Sequence, residues 1–283
     1  MNRNMEHRPF ALAGLMGWPV AHSRSPDIHN HWMAEQGLRG AYVLLPVAPA
    51  HLAQALRALP VMGFAGCNLT IPHKVAALAL VDQVDATARR IGAINTVVVQ
   101  PDGSLAGFNT DGVGYVHSLL HEMPHWRANA GPAAVIGAGG AARAVLVSLL
   151  EQGASEIRLC NRSEEKARQL ANEIGGPIHA LPWAQRHAAL NGAALLVNTT
   201  SQGMSGQAAL DLSLDALPTD ALVSDLVYVP LETPLLVAAR ARGNAVVGGL
   251  GMLLHQARAA YARWFGTMPE VTPMLRAKVE RSL

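Results

Sequence analysis

The sequence predicts an α/β protein of two domains, and three observations carry that prediction. The chain is 283 residues long, enough for two separate cores by the usual relation of length to domain count. Through residues 1–110, apolar runs of strand length alternate with helical segments, the pattern of a mainly parallel sheet with helices on both faces. The alternation then pauses at HEMPHWRANAGP (121–132) and restarts at AAVIG (133–137), which marks a second sheet.

In order, FALAGLMG (10–17) reads as a buried strand, Pro26 to Gln36 as a helix and AYVLLPV (41–47) as a strand. Pro49 to Leu59 is a helix and AGCNLTI (65–71) a strand; INTVVVQ and SLAGF form a hairpin around Pro101-Asp102-Gly103. A helix begins at Thr110, capped by Thr110 or Asp111, and runs towards His121. Strands follow at AAVIG, IRLCN, ALLVN and ALVSDLV, and past Gly251 the pattern is helical to the end. MLLHQARAAYARWF carries an apolar face at three-to-four spacing, and Thr272 to Leu283 is amphipathic. The expected domains are therefore 1–110 with 250–283, and 111–249.

Composition narrows the function classes. Half the residues are hydrophobic, charged residues make up 15%, and the net charge is +2. No run of three cations occurs, so neither nucleic acid nor a membrane surface is an expected partner. Cys67 and Cys160 fit no metal spacing and fall inside candidate strands, where a thiol acts as a small hydrophobe in a reducing cytoplasm. MNRNMEHRPF lacks the apolar core of a signal peptide, and no apolar segment is long enough to span a bilayer. The twelve histidines form no spaced metal set, and His22, His29, His31 and His73 read as structural or rim residues. No metal is expected.

The segment AAVIGAGGAARAVL holds a GxGxxA fingerprint at Gly137, Ala138, Gly139, Gly140, Ala141 and Ala142. Alone the pattern is weak, but an apolar strand leads into it and an unbroken helix leaves it at Ala141, reaching about Gln152. Gly137 permits the tight turn, Gly139 the approach of a pyrophosphate, and Ala142 close packing of helix on strand. The helix N-terminus then offers N–H groups to phosphates. This is the opening of a Rossmann-type dinucleotide-binding domain. At the end of the next strand, where an NAD binder tends to carry a carboxylate, the sequence has Asn161, Arg162 and Ser163. A carboxylate repels a 2′-phosphate, whereas Arg162 pairs with it and Ser163 adds a hydroxyl. The expected cofactor is NADP. Asn161 and Ser163 also suit helix capping, with Arg162 then solvated.

Four polar clusters lie outside that unit: GWPVAHSRSPDIHN (17–30), NLTIPHK (68–74), GAINT (92–96) and GFNTDG (107–112). Each is expected where a strand gives way to a loop or helix, the edge at which open α/β sheets bind ligands. Together they supply an amine, a carboxylate, paired serines and neutral hydrogen-bonding groups, a set suited to a small polyhydroxylated acid. Lys74 is one of three lysines against nineteen arginines, and an amine moves protons that a guanidinium cannot. Taken singly, Lys74 also fits a surface helix flank, Asp111 an ordinary N-cap, Ser23 and Ser25 turn residues before Pro26, and Gln256 a solvent-facing amide.

At these residues the chain resembles the shikimate dehydrogenase family, in order and over almost its whole length. The matching pieces are GWPVAHSRSPDIHN, NLTIPHK, IGAINT, GFNTDGVG, GAGGAARA, NRS, NTTSQGM, DLVYVPLETPLL and GLGMLLHQA. The resemblance implies an N-terminal α/β substrate-binding domain completed by the C-terminal helices, beside the Rossmann-type domain, with the active site in the cleft between them. It implies reversible NADPH-dependent reduction of 3-dehydroshikimate to shikimate, by a monomer or homodimer. Carried over, Ser23 and Ser25 would bind the substrate carboxylate, Asn68, Thr70, Asn95 and Gln256 the ring hydroxyls, and Tyr228 would line the same pocket. Lys74 and Asp111 would be the catalytic pair. Asn198, Thr199 and Met252 would lie along the cofactor, Met252 near the nicotinamide. The family often has Thr in place of Ser163, and the hydroxyl is kept. Two alternatives stand beside this reading: a quinate/shikimate dehydrogenase that uses NAD, and a non-catalytic NADP-binding sensor. The sensor would be expected to lose Lys74, Asp111 or the polar set, and all are present.

Overall fold

The computed structural model of the protein describes residues 10–283. The chain forms two compact units, one running up to Thr110 and resuming at Gln256–Leu283, the other spanning Asp111–His255.

In the first unit the elements are β1 (Ala11–Gly17), α1 (Ser25–Glu35), β2 (Gly40–Pro46), α2 (Leu52–Ala58) after a 3-10 turn at Pro49–His51, and β3 (Gly66–Leu69). There follow α3 (His73–Ala76), β4 (Gln83–Val84), α4 (Ala86–Ile91), β5 (Thr96–Val99) and β6 (Leu105–Phe108). Pro26 opens α1, where its missing N–H costs nothing. Asp85 caps α4 by accepting the Ala88 N–H, and Gly92 ends that helix at φ 72°. The sheet order is β2-β1-β3-β5-β6-β4. β1 pairs in parallel with β2 and β3, but β5 runs antiparallel to both β3 and β6. The expectation of a mainly parallel sheet holds: β4 pairs in parallel with β6, and β5 alone among the described strands of this sheet opposes the others, joined to β6 directly by the Pro101-Asp102-Gly103 turn instead of through a crossover helix. The strand expected over 65–71 stops at Leu69, ahead of Pro72, which has no N–H to give a ladder. The two-residue strand β4 has no sequence signal.

The second unit contains α5 (Asp111–Glu122), β7 (Ala133–Ile136), α6 (Gly140–Glu151), β8 (Ile157–Cys160), α7 (Glu164–Ile174) and β9 (Ile178–Leu181). Then come β10 (Leu195–Asn198), β11 (Leu222–Asp225), α8 (Pro234–Ala241), β12 (Val246–Val247) and α9 (Gly249–Phe265), inside which the change of unit at Gln256 falls. The sheet is all parallel, in the order β12-β11-β10-β7-β8-β9. That is the doubly wound order, with its reversal between β7 and β10. Four-residue strands such as AAVI and LLVN are buried throughout, as a sheet covered on both faces requires. The strands β9 and β12 were not marked in the sequence.

The C-terminal helicity is interrupted between α9 and α10 (Pro273–Glu280), whose first turn is capped by Thr272. Residues 256–283 pack in the first unit. Trp264 Nε1 donates to the Val97 carbonyl at 2.9 Å, and a Cβ at Gly66 would collide with that indole. His29, Trp32, Tyr42, Tyr261, Trp264 and Phe265 form one aromatic cluster from α1, β2 and α9. Cys67 and Cys160 are buried free thiols, and burial pushes the Cys160 thiol up to about 11. Among the described residues, no helix is long and apolar enough to cross a membrane and no metal-binding cluster occurs.

Candidate functional site

In the first unit the sheet changes direction around β1, which sends the chain to β2 on one side and later receives β3 on the other. The loop after β1 carries Ser23 and Ser25, and the end of β3 carries Asn68 and Thr70. The cluster GAINT differs from expectation, since it precedes its strand instead of following it. Antiparallel β5 starts where β3 ends, with Thr96 opposite Asn68. Asn95 and Thr96 are thereby delivered to the same edge, and β6, reversed again, brings Asn109 and Thr110.

These side chains form a buried hydrogen-bonded set. Asn68 Nδ2 donates to the Asn95 carbonyl at 3.0 Å and to Thr96 Oγ1 at 3.1 Å, while Asn68 Oδ1 accepts from the Tyr42 phenol at 2.8 Å. Asn95 Oδ1 accepts from the Thr110 backbone N–H at 2.8 Å and from Thr96 Oγ1 at 2.9 Å. Asn95 Nδ2 points to Gln256 Oε1 at 3.4 Å, so this amide of α9 is turned into the set. Ser23 Oγ donates to Ser25 Oγ at 3.2 Å and accepts the Ser25 N–H. Burial raises the Tyr42 phenol well above its ordinary value, so it stays a neutral donor.

Lys74 sits in α3, four residues beyond Thr70, and is half-buried. Its turn is anchored at both ends. The Lys74 carbonyl accepts from Ile94 N at 2.9 Å, and the buried His73 ring lies 2.8 Å from the Val47 carbonyl. Asp111 is buried, opens α5 and follows directly on Thr110. Asp111, Tyr228 and Met252 belong to the second unit: Tyr228 lies just past β11 and Met252 on α9, both half-buried.

The second unit has a groove of about 290 Å³ at its β7/β10 switch, lined by Gly137, Ala138, Gly139, Asn161, Arg162 and Thr199 among others. Gly137 has φ 112°, and a Cβ there would lie 2.5 Å from Thr199 Oγ1, itself held by the Ile136 carbonyl at 2.8 Å. A Cβ at Gly139 or Gly140 would meet nothing within 4 Å, so backbone faces open space where α6 begins. Ala141 follows in the first turn of that helix. Ser163 caps α7, and Asn161 Nδ2 donates to the Ser163 carbonyl at 2.8 Å, which leaves the exposed Arg162 side chain pointing clear of helix capping. The lining holds a guanidinium and no carboxylate. Glycine backbone at a helix start with a lone cation beyond it fits a dinucleotide bearing a 2′-phosphate.

Asn198 is placed differently from Thr199. It is fully buried, donating to Asp225 Oδ1 at 2.9 Å and to the Gln202 carbonyl at 3.1 Å and accepting from Thr200 Oγ1 at 2.7 Å. It shapes the loop behind the groove. Asp225 takes a further 2.7 Å bond from Thr233, and burial raises its carboxyl above the usual range against these donors. Trp183, also lining the groove, and Tyr42 are residues that sequence reasoning missed. Neither lies in a polar motif. Thr96, by contrast, was already inside GAINT.

Comparison with known proteins gives concordant matches along the chain. Residues 15–97 match the family described as shikimate dehydrogenase substrate binding domain, 122–205 shikimate / quinate 5-dehydrogenase, and 249–277 the shikimate 5′-dehydrogenase C-terminal domain. A relative from Paramagnetospirillum magneticum, named shikimate dehydrogenase (NADP(+)), is 57% identical over 95% of this chain and 97% of its own. A shikimate 5-dehydrogenase of Thermus thermophilus, solved with NADP(H) and shikimate, is 37% identical with a TM-score of 0.86, covering 97% of this chain and 100% of that one. The quinate dehydrogenase of Corynebacterium glutamicum, solved with NAD, is 30% identical with a TM-score of 0.89, covering 95% and 98%. With relatives of this identity matched nearly end to end, the chain belongs to the shikimate dehydrogenase family.

Proposed function

We propose that the protein is an NADP-dependent shikimate dehydrogenase that reversibly reduces 3-dehydroshikimate to shikimate, in the cytoplasmic route to chorismate and the aromatic amino acids. The observation that carries the reading is the 57% identity to a relative of that name, spread over 95% of the chain. In this reading residues 1–110 with 250–283 bind the substrate and 111–249 bind NADP, and the working form is a monomer or homodimer.

Bound NADPH supplies the hydride for the ketone carbon. Backbone of Gly137, Ala138, Gly139, Gly140 and Ala141 at the start of α6 holds the pyrophosphate, and Asn161, Arg162 and Ser163 hold the 2′-phosphate. Thr199 and Met252 flank the cofactor, and Asn198 fixes the loop that carries Thr199. Ser23 and Ser25 take the substrate carboxylate; Asn68, Thr70, Asn95 and Gln256 take the ring hydroxyls, with Tyr228 at the pocket wall.

Lys74 is the acid. Its ammonium polarises the carbonyl and protonates the developing alkoxide, and in the reverse direction the amine accepts the hydroxyl proton. Asp111 orients that amine and bonds a ring hydroxyl.

A second reading rests on the quinate dehydrogenase likeness, whose backbone match is as good as that of the shikimate enzyme. Quinate adds a hydroxyl at the carboxylate-bearing carbon, beside Ser23 and Ser25. Steady-state kinetics with shikimate and quinate, each with NADP and NAD, separate the two. A kcat/KM highest for shikimate with NADP supports the first reading; preference for quinate with NAD overturns it.

A further inference from the structure

The orientation of the Asn68 amide follows from its surroundings. The Asn95 carbonyl only accepts, so the amide atom 3.0 Å from it is the nitrogen. The second amide proton goes to Thr96 Oγ1, whose own proton is given to Asn95 Oδ1. Both donors of Asn68 are therefore spent within the protein. Its Oδ1 faces Tyr42, and the phenol has to donate.

We propose that Tyr42 is a positioning residue for substrate binding: its phenol locks the Asn68 amide so that one acceptor lone pair of Oδ1 remains, and that lone pair reads a hydroxyl proton of the substrate. The proposal rests on the assignment of Asn68 to the substrate site. Tyr42 is itself 2% exposed and stacked on His29 at 4.1 Å, so it acts through Asn68. The ring stack holds the phenol in place, and only the hydroxyl does the positioning.

Tyr42→Phe removes that hydroxyl and keeps the stack. With the full-length enzyme, the shikimate KM is expected to rise about ten-fold, with kcat within about three-fold and the NADP KM unchanged. In an Asn68→Ala background the same change has little further effect, because the group being positioned is gone. Should Tyr42→Phe not fold, the near-isosteric Thr96→Val at the other end of the amide carries the same expectation. An unchanged shikimate KM, an equal rise for both substrates, or an equal penalty in the Asn68→Ala background overturns the proposal. Failure of the folded wild-type enzyme to oxidise shikimate with NADP overturns the functional reading instead.

Discussion

His29 makes the stability of the first unit depend on pH. The residue is completely buried between Tyr42 and Trp32, with Tyr261 and Trp264 around it, and among the described residues neither ring nitrogen has a hydrogen-bond partner. Burial lowers its pKa from 6.5 to about 3. Below pH 6.5 the unfolded chain takes a proton that the folded state refuses, so this contribution is present above 6.5 and is lost as pH falls towards 3. One proton corresponds to about 1.4 kcal/mol per pH unit, hence a loss on the order of 2 to 3 kcal/mol between pH 7.5 and 4.5.

The perturbation is His29→Phe, which keeps an aromatic ring in the stack and cannot titrate. Urea unfolding at pH 7.5, 6.5, 5.5 and 4.5 is followed by tryptophan fluorescence. Trp32 and Trp264, with ring centroids 5.7 and 5.5 Å from His29, report on this cluster. The difference between the two proteins is the informative quantity, because every other titrating group cancels. The absolute stability at pH 7.5 is a poor guide, since removing orphaned ring nitrogens and enlarging the ring act in opposite directions. The variant is expected to lose on the order of 2 to 3 kcal/mol less than the wild type over this range. Equal losses in both proteins would show that His29 accepts its proton in the folded state, and would refute the reasoning.

Lys74→Ala is expected to lower kcat about 100-fold or more with a milder change in shikimate KM, and Lys74→Arg to fail as well, because a guanidinium does not shuttle protons; wild-type turnover in either variant removes proton transfer from Lys74. Arg162→Ala should raise the NADPH KM about 10- to 100-fold and leave the NADH KM nearly unchanged, and equal changes for both cofactors would contradict the 2′-phosphate assignment. Gly137→Ala places a methyl against Thr199 Oγ1 at φ 112°. Its NADP Kd, measured by calorimetry, is expected to rise at least ~10-fold; unchanged binding would mean that the turn adapts.

The second unit was legible because a parallel, doubly wound sheet writes itself in short apolar runs, and because GAGGAA sits where one strand yields to a helix. Its edges were not. Strand β12 has two residues and β9 begins at Ile178 just after the Gly175-Gly176 break, and neither offers enough alternation to read. In the first unit the hairpin was read correctly but its consequence was not drawn. A hairpin at Pro101-Asp102-Gly103 requires β5 to oppose β6, and β5 opposes β3 as well, which explains why GAINT stands before a strand and still reaches the edge where NLTIPHK ends.

Motifs in the sequence name the side chains that meet a ligand; they say little about what holds those side chains still. Asn68, Asn95 and Gln256 were visible as polar residues in the right places. Tyr42 was not, because in AYVLLPV it reads as one more large residue of a buried strand. The reason lies in the physics of burial. An amide placed in a dry interior must have its donors and acceptor matched, and the matching groups come from elements distant in sequence: a strand for Tyr42, a loop carbonyl for Asn95, the start of β5 for Thr96. Asn68 therefore keeps only the hydrogen-bonding capacity its neighbours leave it. A polar residue in a substrate site is defined as much by those prior commitments as by its own chemistry, and only the fold reveals them.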